Sequence, residues 1–161
     1  MLGALLMTAA APVAVPPEPA LTEQIAKADA DLFRLFFTEP CDEPRMRGML
    51  ASDIEFYHDK AGVTARSADE FITDYLQNCK SREDPTAWRS RRELVVKSLH
   101  VDPVPAFGAM EFGEHLFYER KGVDGVEKLA GRALFAMVWE LTPDGKWILK
   151  RVLSYSHAPA R

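Results

Sequence analysis

Four histidines, at positions 58, 100, 115 and 157, are the side chains of this sequence best suited to proton transfer near neutral pH or to metal ligation. Three of them stand in strings with other polar and aromatic residues: Tyr57-His58-Asp59, Glu111 to His115, and Tyr155 to His157. In the first string either Asp59 or His58 can serve as a base, with His115 or a tyrosine as the acid. The same neighbours can also form a hydrogen-bonded corner with no chemistry, because buried polar groups normally find partners. Period-2 alternation sets Ile54, Phe56 and His58 on one face and Glu55, Tyr57 and Asp59 on the other, so the apolar pair favours an inward His58. A bend before Gly62 would re-aim either side chain.

Two later segments pose the same question of faces. In one, Ala109, Glu111, Gly113, His115 and Phe117 alternate with Met110, Phe112, Glu114, Leu116 and Tyr118. The second set is the more apolar, but the small Ala109 and Gly113 would leave room for a ligand beside Glu111 and His115. In the other, Arg151, Leu153, Tyr155 and His157 share a face opposite Lys150, Val152 and Ser154, which lets Tyr155 and His157 close a pocket mouth or pin the C-terminus. His100 stands beside a turn and reads as solvated.

Other chemistries lack their spacing. There is no H-x-H or H-E-x-x-H pattern, so no metal site is expected, and no cofactor either. No G-x-G-x-x-G, P-loop or G-x-S-x-G motif supports a dinucleotide, nucleotide or serine-hydrolase reading. With 20 basic against 24 acidic side chains, a net charge of −4 and no basic stripe, neither nucleic acid nor an anionic membrane surface is an expected partner.

The elements that position these residues follow from patterning. The 161 residues, 47% hydrophobic and 27% charged, fit one globular domain. Residues 1–15 carry no charged side chain and run into Pro16, Pro17 and Pro19; the run is too short to span a bilayer and looks like a secretory leader with small residues at Ala9, Ala10 and Ala11. The expected division is a leader over 1–20 and a domain over 21–161, secreted or periplasmic. The cytoplasm is the alternative, since no Lys or Arg precedes the apolar core. In an oxidising compartment Cys41 and Cys79 can pair, worth about 4 kcal/mol; otherwise they are half-buried thiols.

Leu21, Ile25, Ala28, Leu32, Leu35 and Phe36 recur at helical steps up to Glu39-Pro40. Asp42 is an N-cap for a short second helix, and Ser67 with Glu70 forms a capping box for a third, whose inner stripe is Phe71, Ile72, Tyr75, Leu76 and Cys79. Residues 53–60 read as a strand. Four longer strands follow, over 88–101, 107–118, 129–141 and 147–157, divided by turn residues at Asp102-Pro103, Gly122 to Gly125 and Thr142 to Gly145. The charged run 80–93 reads as a solvated loop and strand edge. The order, helices and then strands, is an α+β plan.

This order, with the strings Glu55 to Lys60, Phe107 to His115 and Trp147 to His157, resembles the SnoaL-like branch of the nuclear transport factor 2-like superfamily, in particular the group called domain of unknown function 4440. The resemblance covers about residues 21–157. It implies a cone-shaped, cystatin-like half-barrel, with three N-terminal helices packed on a strongly curved, mainly antiparallel sheet and a pocket between them. The superfamily includes isomerases, dehydratases, cyclases, hydrolases and plain binding proteins, so the fold alone does not select an activity. In similar enzymes, the ketosteroid isomerases among them, a carboxylate near the end of the first strand abstracts a proton, and Asp59 matches that position. The first helix offers only Phe33, Phe36 and Phe37 where such enzymes carry a tyrosine donor.

The expected function is therefore binding of a small, mostly apolar molecule. His58, Asp59 and His115 are the catalytic candidates, and Tyr57, Glu111, Tyr155 and His157 the ligand contacts. An isomerase, dehydratase or hydrolase with Asp59 or His58 as base is one alternative, and an interaction module without a usable cavity is another. The outer face of the sheet would serve a homodimer.

Overall fold

A computed structural model describes residues 13–160, so the leader expected over residues 1–20 lies mostly outside the described residues. Helix α1, Ala20–Phe37, buries Leu21, Ile25, Leu32 and Leu35 along one stripe. Helix α2, Glu43–Arg47, starts at Asp42, whose side chain accepts from the Arg45 N–H at 3.0 Å. Strands β1, Leu50–His58, and β2, Gly62–Ala65, form a hairpin. Helix α3, Ala68–Glu83, begins at Ser67, which accepts from Glu70 N–H at 3.2 Å. Glu70 reaches back to the N–H of Arg66 rather than that of Ser67, at 2.6 Å, so the box is closed one residue early.

The remaining strands are β3, Trp88–Leu94; β4, His100–Val104; β5, Gly108–Lys121; β6, Lys128–Leu141; and β7, Trp147–Pro159. The seven strands make one curved, open sheet in the order β2-β1-β7-β6-β5-β3, with β4 also paired to β5. All pairs are antiparallel except β1 with β7. Where one strand over 88–101 is expected, the chain forms two: a single 3₁₀ turn at Val96–Ser98 lets β3 and β4 share the edge of β5. The break keeps both halves paired while the long β5 curves.

The inner face follows the alternation of β6, where Ala133, Phe135, Met137, Trp139 and Leu141 are all buried. The inner residues of β5 are Ala109, Glu111 and His115, the set with the small residues and not the more apolar one. Leu76 of α3, expected in the inner stripe, is 41% exposed, because α3 rests on the sheet only through Ala68, Phe71, Ile72 and Tyr75. Tyr57, Met110, Leu134, Leu153 and Tyr155 stay exposed on the outer face. No helix among the described residues is long and apolar enough to cross a membrane.

A disulfide joins Cys41 to Cys79 across 38 residues, with Cα atoms 6.0 Å apart. Beside it, the buried Tyr75 hydroxyl accepts from Asp42 N–H at 2.8 Å, so the start of α2 is tied twice to α3. The bond restricts the unfolded chain more than it adds contacts to the folded one, and paired C41S/C79S substitution is expected to lower stability by about 2–4 kcal/mol. Thermal melts of that variant against the oxidised chain measure it; coincident melts would show the bond to be without effect.

Candidate functional site

Between α1, α3 and the concave sheet lies a cavity of about 190 Å³. Leu32, Phe33, Phe36, Phe56, Phe71 and Met137 give it apolar walls, and its polar atoms come from four residues of β1, β5 and β7: His58, His115, Ser154 and His157. They lie together on the sheet side.

Their arrangement starts from a buried ion pair. Asp29 occupies a position where the stripe of α1 calls for an apolar residue, four after Ile25 and three before Leu32, and it is 1% exposed. Its Oδ2 accepts from Nη1 of the buried Arg92 on β3. The guanidinium carbon lies 4.0 Å from the ring centre of Phe33 and 5.0 Å from that of Phe135. Arg92 Nε donates to Nδ1 of His115 at 3.1 Å. A guanidinium has donors only, so Nδ1 of His115 must be the acceptor, and a neutral ring then carries its proton on Nε2. Burial, and after it the Arg92 charge, push the His115 imidazolium down to about 3.

The tautomer of His115 makes its Nε2–H a donor toward Ser154, and the Asp59 carboxylate, an acceptor only, fixes Nδ1–H on His157. The His115 Nε2–H donates to Ser154 Oγ at 3.5 Å, and Ser154 Oγ lies 3.3 Å from His157 Nε2, to which the serine hydroxyl donates when the His157 ring is neutral. His157 Nδ1–H then donates to Asp59 Oδ1 at 2.5 Å, while its backbone N–H donates to Asp59 Oδ2 at 3.1 Å. Partial burial works to raise the Asp59 carboxyl, but these bonds from His157 together outweigh it and hold the group below the usual carboxylate range. His58 stacks on His157 at 4.1 Å, and its Nδ1 accepts from the Lys60 N–H at 3.1 Å. Burial, and then the neighbouring His157, lower its pKa. Two nitrogens thus meet at Ser154 with opposite roles: His157 Nε2 as a lone pair and His115 Nε2–H as a donor.

Solved structures share this architecture. Aln2 from a Streptomyces species matches with a TM-score of 0.68 at 9% identity, over 86% of this chain and 91% of its own. An NTF2-like protein with a cystatin-like fold from Novosphingobium aromaticivorans matches at 0.63 and 14%, over 84% and 80%. The chain has the nuclear transport factor 2-like fold. Hexachlorocyclohexane dehydrochlorinase LinA-type3 from Novosphingobium barchaimii shares it at 0.61 and 15%, over 88% of this chain and 90% of the other. No family model and no curated protein matches the sequence, so the narrower grouping as domain of unknown function 4440 rests on the local strings alone.

Within this nuclear transport factor 2-like fold, the expected site residues separate. His58, His115 and His157 reach the cavity, with Asp59 behind His157. Tyr57 and Tyr155 point to the outer face and do not line it. His157 parts from Tyr155 because Ser156 adopts a left-handed φ of 57° and the pairing of β7 with β6 slips by one residue between Arg132 and Leu134. That slip moves His157 to the side of Ser154, opposite the placement alternation predicts. Glu111 is buried behind the cavity wall, accepting from Trp139 Nε1–H at 2.7 Å. The room expected above Gly113 is taken by the Phe135 ring, 2.9 Å from where a Cβ would stand.

Asp29, Arg92 and Ser154 are not among the candidates that the sequence offers. An acid inside the apolar stripe of α1 was a usable signal for Asp29. Arg92 was hidden among Arg89 and Arg91 in a run read as solvated, although it shares a strand face with Leu94.

Among the described residues, His58, Asp59 and His157 offer metal-ligand atoms within 4.8 Å of one another. In this structure His157 Nδ1 is bonded to Asp59 and His58 Nδ1 to the Lys60 N–H, so a cation would compete with those bonds.

The single guanidinium also faces a second buried carboxyl. Burial first, and then the Asp29 charge, push Glu111 up to about 8, and its Oε1 has no partner among the described residues. A carboxyl whose folded pKa is raised keeps its proton in the native state while the unfolded chain loses it, so stability falls as pH rises from about 4.5 to about 8. Glu111→Gln is therefore expected to match the parent near pH 4 and to melt higher at pH 8, by about 5 °C. Thermal melts across that range decide; a constant difference would rule out the buried neutral acid.

Proposed function

We propose that the chain binds a small, mostly apolar carbonyl compound in this cavity and moves a proton on it, as an isomerase or lyase does. The observation that carries the reading is the opposition of a lone pair and a donor on one wall of an apolar cavity. His157 Nε2 takes the proton; Asp59 holds the ring in the required tautomer and stabilises the imidazolium that forms. His115 Nε2–H, on a ring that stays neutral above about pH 3, donates to the oxygen on which negative charge develops. Asp59 orients the base and is not the base itself, and His58 shields the pair through its stack. Base-driven elimination uses the same first step, and one neighbour in fold is by name a dehydrochlorinase.

Exchange of the α-protons of small ketones in D₂O, followed by NMR, tests the base. His157→Ala and Asp59→Asn are each expected to slow exchange by about 10²-fold or more. Rates unchanged in both variants would remove the dyad from the mechanism.

The proposal includes export, which the Cys41–Cys79 bond supports because such bonds persist in oxidising compartments. It also includes a homodimer, which the exposed apolar side chains of the outer face support. The chain recovered from the periplasm is expected to have lost its first residues and to show twice the chain mass by light scattering. An intact Met1 would overturn export, and a monomeric mass would overturn the dimer.

A further inference from the structure

Ser154, His157 and Asp59 stand in the order of a nucleophile, its base and the group that orients the base. We propose that Ser154 is a nucleophile that accepts the acyl group of a small apolar ester or lactone; the idea rests on the same His157–Asp59 pair as the function proposed above.

The spacing meets the demands of that chemistry. Ser154 Oγ lies 3.3 Å from His157 Nε2, and His157 Nδ1 lies 2.5 Å from Asp59, with the second carboxylate oxygen fixed by the backbone N–H of His157. Catalytic contacts of this kind are commonly loose until substrate is bound. The bond directions agree as well. His115 can only donate to Ser154, which leaves the serine proton to point at the base and a lone pair available on Oγ. Serine hydrolases usually announce themselves by a G-x-S-x-G turn, but the triad is defined by geometry and roles, and here the serine rides on a strand.

The surroundings supply the other two requirements. His115 Nε2–H, 3.5 Å from Oγ, becomes free to receive the carbonyl oxygen when Oγ moves onto the acyl carbon. Ser154 is 5% exposed and lines the cavity, whose phenylalanine walls would hold the acyl chain away from water. One neutral donor gives limited stabilisation to an oxyanion, which selects esters and lactones over the less reactive amides.

The steps balance without any further reagent. As Oγ bonds to the acyl carbon, the serine proton passes to His157 Nε2 and the carbonyl electron pair moves onto oxygen. Collapse re-forms the carbonyl, breaks the bond to the alkoxy oxygen, and His157 returns its proton to the departing alcohol. Water then adds to the acyl-serine, giving a proton to His157, and Oγ leaves with that proton, which yields the carboxylic acid and the starting enzyme.

The test uses the full chain with p-nitrophenyl butyrate and, separately, a fluorophosphonate probe. One adduct per chain, mapped to Ser154 by peptide mass spectrometry, is expected. Ser154→Ala should lose the adduct and about 10³-fold of the nitrophenol release, and His157→Ala or Asp59→Asn should slow labelling by at least about 10²-fold. Absence of an adduct on the wild-type chain, or an adduct on Ser156 or Tyr155, would overturn the nucleophile, and that mapping does not depend on any variant folding. Ketone exchange measured on the same preparation separates the two readings. Exchange without an adduct removes Ser154 and keeps the base, while an adduct that depends on His157, without exchange, keeps the triad and removes proton transfer on a ketone.

Discussion

The contact between Asp29 and Arg92 organises both the packing and the chemistry of this molecule. Two charges buried among phenylalanine rings carry a large desolvation cost, and such pairs seldom add net stability over an apolar replacement. What this pair adds is direction. It pins α1 to β3, and the remaining Nε–H of Arg92 makes Nδ1 of His115 an acceptor. That choice turns His115 Nε2–H toward Ser154, while at the far end the Asp59 carboxylate fixes Nδ1–H on His157. Burial first, and then the Asp29 charge, raise the pKa of Glu111 behind this pair, more than the shared guanidinium lowers it. Removing either partner would leave an uncompensated charge in the core and a histidine free to turn.

Most of the fold was legible because it rests on local chemistry. Ser67 and Asp42 cap the helices they were expected to cap, and the turns at Gly122 to Gly125 and Thr142 to Gly145 separate the long strands as read. The site was legible only by half. His58, Asp59 and His115 stand in short strings that draw attention to themselves, whereas Asp29 and Arg92 are 63 residues apart and have meaning only as a pair. Alternation also misplaced His157, since a period of two holds only while the ladder keeps its register, and Ser156 breaks it. Exposure of Tyr57 and Tyr155 follows from local alternation, although β7 also slips between Leu149 and Arg151, which leaves Leu149 and Val152 both buried.

Neighbours at 9–15% identity share the curved sheet and the helices that cover it. The cavity has one polar wall. In this chain the wall consists of three imidazoles and one hydroxyl, with the carboxylates Asp29 and Asp59 held behind them. The carboxylates are therefore kept one residue away from the cavity, whose polar wall offers imidazole and hydroxyl groups. This suits an uncharged molecule and disfavours a cationic one.

Slips between Leu149 and Arg151 and again at the left-handed Ser156 give the last strand three reading frames. From Val152 to Tyr155 alternate side chains fill the core or the outer face. Beyond Tyr155 the slip at Ser156 sets the frame and puts His157 on the side of Ser154. The stretch that packs the core and the stretch that aims His157 into the cavity are thus separate parts of one strand, and only the second depends on the conformation of Ser156.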